Sequence, residues 1–171
     1  MNRPIATLSI ATAILASGHA QAAYGPQLEG FDYPYPLQTY SFSSQQQALE
    51  MGYLDVPPSE AANGKTAVLL HGKNFCGATW ETTIKVLSNA GYRVIAPDQV
   101  GFCSSSKPRG YQFSFGQLAD NTDALLASLN IDKATIIGHS MGGMIVQEMT
   151  KIVGDRINKL ITDRKSFFKS L

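Results

Sequence analysis

Charge is scarce in this sequence. Charged side chains make up 16% of the 171 residues, and 14 basic ones set against 13 acidic ones leave a net charge of only +1. A balance this close to neutral gives no support to a nucleic-acid surface, and no acidic tail is present. Long apolar runs are missing as well. The longest, Ile5 to Ala16, falls well short of the roughly 20 residues needed to cross a bilayer, so no stable membrane span is expected. Only two cysteines occur, Cys76 and Cys103, which allows at most one bridge within the chain. Histidine is limited to His19, His71 and His139, and none follows. Neither a metal ion nor a cofactor is expected.

The first residues have the pattern of an export signal. Arg3 lies in a short basic region, Ile5 to Ala16 is the apolar stretch, and Ala20-Gln21-Ala22 is a small-residue cleavage site. Residues 1–22 are therefore read as a signal peptide and residues 23–171 as one domain, exported to the periplasm or secreted. Disulfides persist in such a compartment, so one bridge and two packed free thiols are both open.

Tyr24 to Pro36, rich in Pro, Gly and Tyr, has neither helical nor strand periodicity and is read as a lead-in lying across the body. Leu37 to Phe42 and Ala48 to Val56 read as a hairpin around a Ser/Gln-rich turn, and Pro57 to Lys65 as a surface connection. From Thr66 the pattern changes. Short apolar runs at Thr66 to Leu70, Arg93 to Ala96 and Ala134 to Ile137 alternate with helical stretches at Trp80 to Ala90, after Ser114, and at Met141 to Val153. Ser114 and Gln117 have capping-box spacing, and Leu118, Thr122, Leu125, Leu126 and Leu129 then share a helical face. Alternation of this kind predicts right-handed βαβ units, hence a doubly wound, mostly parallel α/β sheet behind an N-terminal hairpin.

Within that pattern, Gly138-His139-Ser140-Met141-Gly142-Gly143 leaves one predicted strand and opens the next predicted helix. A serine held in so tight a turn is strained, and the residues two before and two after it must be small for strand and helix to approach. Gly138 and Gly142 satisfy this, which makes Ser140 the candidate nucleophile, with the Met141 N–H as one donor to an oxyanion. Cys76 and Cys103 each follow a predicted strand by a few residues, so both sit at the carboxyl edge of the sheet, where strands about 4.8 Å apart would let them meet.

His71-Gly72 with Trp80 downstream, Asp98-Gln99-Val100-Gly101, and Gly138 to Gly143 resemble, in order and spacing, the first three motifs of the α/β-hydrolase superfamily. The longer strings Lys73 to Trp80 and Asp98 to Pro108 are similar to those of exported bacterial hydrolases. The resemblance implies an α/β-hydrolase fold and a hydrolase acting on a small-molecule ester or related acyl substrate. It implies the backbone N–H of Lys73 as the second oxyanion donor, with Asn74 as the nearby alternative, and it sets Ser140 apart from fold members whose nucleophile is aspartate. His71, Gly72, His139 and Asp98 are expected to be structural. Where the family pattern has a second glycine after Gly101, this chain has Cys103.

A serine hydroxyl needs a histidine base held by a carboxylate, and in this superfamily both follow the nucleophile. The 31 residues after Ser140 contain no histidine. The expectation is a partial domain cut off after the nucleophile helix and inactive alone. The alternatives are a catalytically dead binding protein of the same fold and a non-functional truncated product. Ile157 to Ile161 reads as one further strand beside the nucleophile strand, interrupted by Asp163, Arg164 and Lys165.

Overall fold

The computed structural model describes residues 24–163. Residues 1–22, expected to be a signal peptide, the basic pair Arg164-Lys165 and the tail from Ser166 to Leu171 lie outside the described residues. Six strands form one sheet in the order β1-β2-β4-β3-β5-β6. They are β1 (Leu37–Ser44), β2 (Gln47–Val56), β3 (Thr66–Leu70), β4 (Arg93–Pro97), β5 (Ala134–His139) and β6 (Ile157–Asp163). The last four run parallel to one another, while β1 and β2 form an antiparallel hairpin that joins through an antiparallel β2–β4 pair. This is the expected doubly wound, mostly parallel α/β sheet.

Side-chain alternation decides which face each helix covers. Met51 and Tyr53 on β2, Val68 and Leu70 on β3, Ile95 on β4 and Ile136 on β5 point to the face covered by α2 (Phe115–Ser128) and α3 (Met141–Val153). Their neighbours one residue along, Leu54, Leu69, Val94, Ala96 and Ile137, turn to the other face. There they meet Ile84 and Leu87 of α1 (Glu81–Asn89), together with Trp80, Tyr33 and Tyr35. The Pro/Tyr-rich lead-in therefore does lie against the body. Arg93 makes a bidentate pair with Asp55, at 2.9 and 2.7 Å, which ties the first residue of β4 to the hairpin.

Three local expectations need correction. The helix expected from Trp80 begins instead at Glu81, because Gly77–Trp80 forms a tighter 3-10 turn before it. Asp163 does not interrupt the last strand: β6 runs to Asp163, which pairs in register with His139. Ser114 caps α2 by accepting the Gln117 N–H at 3.0 Å, but the Gln117 side chain turns to Asn121 and Gln45 rather than back to the cap, so half of the capping box is made.

The hairpin turn is also unusual in composition. Gln45 and Gln46 both have positive φ, 48° and 61°, a conformation that two-residue hairpin turns usually reserve for Asn and Gly. Bonds from the Gln45 amide to the Gln112 backbone and to Gln117 hold the turn against the loop leading into α2.

Candidate active site

Ser140 ends β5 and opens α3 with φ 52° and ψ −114°, in a region that non-glycine residues rarely occupy. A conformation of this kind costs on the order of 1–3 kcal/mol and persists only where the surroundings enforce it. They do so through two glycines. A Cβ on Gly138 would lie 2.5 Å from the Gly142 carbonyl carbon, and one on Gly142 would run into the Leu70 carbonyl oxygen of the neighbouring strand. Both obstacles are backbone and cannot swing away. The Ser140 side chain makes no capping bond to its helix and is exposed, so its hydroxyl is presented at the carboxyl edge of the sheet.

The loop after β3 passes close by. A Cβ on Gly72 would meet His139 Nδ1 at 2.9 Å and Ser140 Cβ at 3.3 Å, so only glycine lets this backbone come so near the elbow. A turn closed by the Phe75 N–H donating to the Gly72 carbonyl, at 3.1 Å, places Lys73 and Asn74 at its tip, with Asn74 left-handed at φ 65°. The Lys73 side chain is exposed. Lys73 and Met141, the two expected oxyanion donors, border one cavity of about 520 Å³.

His71 is not free to act as a base. It is 1% exposed; its Nδ1–H donates to the Gly72 carbonyl at 2.8 Å, while Nε2 accepts the Gln99 N–H at 2.9 Å. Those two bonds use both nitrogens and fix the neutral tautomer. Burial holds its pKa below the ordinary value. His71 thereby joins the β3 and β4 loops.

Asp98 does more than hold its own turn. Its Oδ1 accepts the Gly77 N–H at 2.6 Å, and its Oδ2 accepts the Ser104 N–H at 3.0 Å, the Ser104 hydroxyl at 2.6 Å and the Tyr33 hydroxyl at 2.5 Å. One buried carboxylate thus gathers the lead-in, the β3 loop and the β4 loop. Burial, and then this bond, push the Tyr33 phenol well above its usual range. Beside Asp98 the structure joins Cys76 to Cys103 as a disulfide, with Cα atoms 5.9 Å apart. Cys103 is left-handed at φ 46°, which gives a physical reason why glycine suits that place: the backbone conformation is the one glycine adopts freely.

Sequence reasoning missed the aromatic wall of the cavity. Phe102, Phe113 and Phe115 line it with Leu118. The two phenylalanines flanking the Ser114 cap were the available signal, but Phe113 ends a loop without periodicity and Phe115 is only the first residue of α2. A second cavity is lined in part by His71, Phe75, Trp80 and His139. The Trp80 indole N–H is the single buried side-chain polar atom without a partner among the described residues.

Residues 66–169 match the family described as alpha/beta hydrolase fold. The chain belongs to the α/β-hydrolase family. Among curated relatives, the chain is 37% identical over 109 residues to the AB hydrolase superfamily protein YfhM of Bacillus subtilis, covering 63% of this chain and 38% of the relative. It is 34% identical over 110 residues to a putative non-heme chloroperoxidase of Synechocystis, covering 63% and 39%. The crystal structure of a probable hydrolytic enzyme from Pseudomonas aeruginosa PAO1 superposes with a TM-score of 0.79 at 57% identity, covering 81% of this chain and 44% of that one. The chain thus spans less than half the length of the proteins it matches. No helix among the described residues is long and apolar enough to cross a membrane.

Proposed function

We propose that this α/β-hydrolase chain is the nucleophile-bearing part of an exported serine hydrolase acting on carboxylic esters or related acyl substrates. The observation that carries the reading is the geometry at Ser140, an exposed hydroxyl on a strained turn at a helix N-terminus, next to the Met141 end of a cavity that Lys73 also borders. In the proposed reaction the Ser140 oxygen attacks the substrate carbonyl. The oxyanion that forms accepts the Lys73 and Met141 N–H groups, with the positive end of α3 beneath it. Expulsion of the alcohol leaves an acyl-serine, which water then cleaves.

The proton leaving Ser140 needs a base. His71 has both ring nitrogens engaged and is not assigned as the base; in the family order of serine, acid, histidine the base and its carboxylate come after the nucleophile in a complete protein. Relatives named chloroperoxidase, haloalkane dehalogenase and epoxide hydrolase show that the fold alone does not choose a substrate. Serine at position 140, where dehalogenases and epoxide hydrolases of this fold use aspartate, supports acyl chemistry. Export is supported by the pattern of residues 1–22 and by the disulfide, which suits an oxidising compartment.

The test is turnover by a complete protein that contains residues 23–171 followed by an acid- and histidine-bearing segment. It should hydrolyse short-chain p-nitrophenyl esters, and Ser140→Ala should lower kcat by about 10⁴-fold or more. Unchanged kcat in that variant would overturn the assignment.

A further inference from the structure

The cavity at the elbow has walls of one chemical kind. Phe102, Phe113, Phe115, Leu118 and Met141 supply apolar surface, and among the described residues Lys73 is the single charged one on its lining. Among the described residues no carboxylate lines it, so a cationic group would enter without a countercharge.

Two of the rings are held in place by other rings. Phe102 meets His71 edge to face at 5.5 Å and 71°, and Phe113 meets Tyr111 at 4.9 Å and 62°. Phe113 also closes over Gly101, where an added Cβ would come within 3.0 Å of its ring. Yet Phe113 and Phe115 remain 50% and 41% exposed, so each keeps a free surface. A ring fixed on one side and open on the other, as Phe113 is, suits a further ring, since aromatic pairs prefer edge-to-face or offset contact. The hydroxyl of Ser114 between them accepts the Gln117 N–H, which leaves little polar character in this wall.

We propose that this cavity is the acyl site for an aryl-bearing acyl group without positive charge, with Phe113 and Phe115 as specificity-determining residues. The proposal rests on the reading of Ser140 as nucleophile, because Met141 on the cavity lining is the next residue along the chain. An aryl-alkanoyl ester would place its carbonyl at the elbow and its ring between Phe102 and the pair on either side of Ser114. An acetyl group would leave most of a cavity of about 520 Å³ unfilled, and a cationic acyl group would meet Lys73.

The test uses reversible ligands, so its outcome does not depend on covalent chemistry at Ser140. Benzylacetone, a neutral methyl ketone with an aryl-alkyl arm, is titrated against the chain by calorimetry. Methyl pentyl ketone, of similar hydrophobicity, and the para-aminomethyl derivative of benzylacetone serve as comparisons. Benzylacetone should bind about fivefold or more tightly than either. Phe113→Leu keeps apolar volume at an exposed position and should abolish the preference over methyl pentyl ketone, and Phe115→Leu should reduce it. Equal binding of the two neutral ketones, tighter binding of the cationic one, or an aryl preference unaltered by Phe113→Leu would overturn the proposal. Failure of Ser140 to label with a serine-directed probe, alongside an intact aryl preference, would instead count against the nucleophile reading alone.

Discussion

The Tyr33 hydroxyl donates to the Asp98 carboxylate at 2.5 Å, across 65 residues of sequence. Asp98 is buried and also accepts two backbone N–H groups, from Gly77 and Ser104, so the lead-in segment is bonded to the carboxylate that organises both loops of the candidate site. Tyr33→Phe removes one donor and leaves the rest. It should lower stability by about 1–2 kcal/mol in urea unfolding, the usual cost of a hydrogen bond to a charged group. Asp98→Asn should cost more, because its amide presents one acceptor oxygen to a site where both carboxylate oxygens are bonded.

The glycines of the elbow give a second prediction. Gly142→Ala drives a methyl group into the Leu70 carbonyl, and Gly138→Ala drives one into Gly142, in both cases against backbone. Each should cost about 3 kcal/mol or more in thermal or urea unfolding. Gly154→Ala is the contrast. Its Cβ would meet nothing within 4 Å and its φ of −49° is helical, so that variant should be neutral or slightly stabilising.

The disulfide closes 27 residues of sequence. In the entropic account a loop of that length contributes about 3–4 kcal/mol, so reduction should lower the unfolding midpoint markedly. The left-handed backbone at Cys103 adds a finer expectation. Cys76→Ser with Cys103→Gly should be more stable than Cys76→Ser with Cys103→Ser by about 1 kcal/mol, since glycine occupies that conformation without strain. Alkylation without reductant, followed by mass spectrometry, should show the two cysteines linked in exported material.

His71 predicts a dependence on pH. Its pKa in the fold lies below the ordinary value of 6.5, so the unfolded chain binds more protons as pH falls through that value. The stability that neutral His71 contributes is present above about pH 6.5 and is lost as pH falls toward the lower folded pKa. The unfolding midpoint should drop between about pH 7 and pH 5, and His71→Gln should show a smaller drop over the same range even though it is less stable throughout.

Much of this was legible in the sequence because the signals were local. Each buried strand is a short apolar run, the helices after Ser114 and Ser140 carry their own apolar faces, and the Gly138 to Gly143 string has few ways to fold between a strand and a helix. Gly142 is needed for a contact with Leu70, but its smallness could be read without knowing its neighbour. What escaped was long-range or non-periodic. Nothing near Tyr33 points to Asp98, and nothing near Gln45 points to the Gln112 carbonyl that holds its turn. Phe113 and Phe115 became a cavity wall only in the folded chain, where the Phe113 ring lies over Gly101. The run of β6 through Asp163 was missed for a related reason: a charged residue ends an apolar pattern, whereas pairing with His139 is a property of the neighbouring strand.

The central proposal is that Ser140 is the nucleophile of a complete serine hydrolase, and labelling by a fluorophosphonate probe tests it most directly. A complete protein containing residues 23–171 should be labelled strongly, with the adduct mapped to Ser140 and lost in Ser140→Ala, while the 171-residue chain should label weakly or not at all. Strong labelling of a different residue in the complete protein, or robust ester turnover by the purified 171-residue chain, would contradict it.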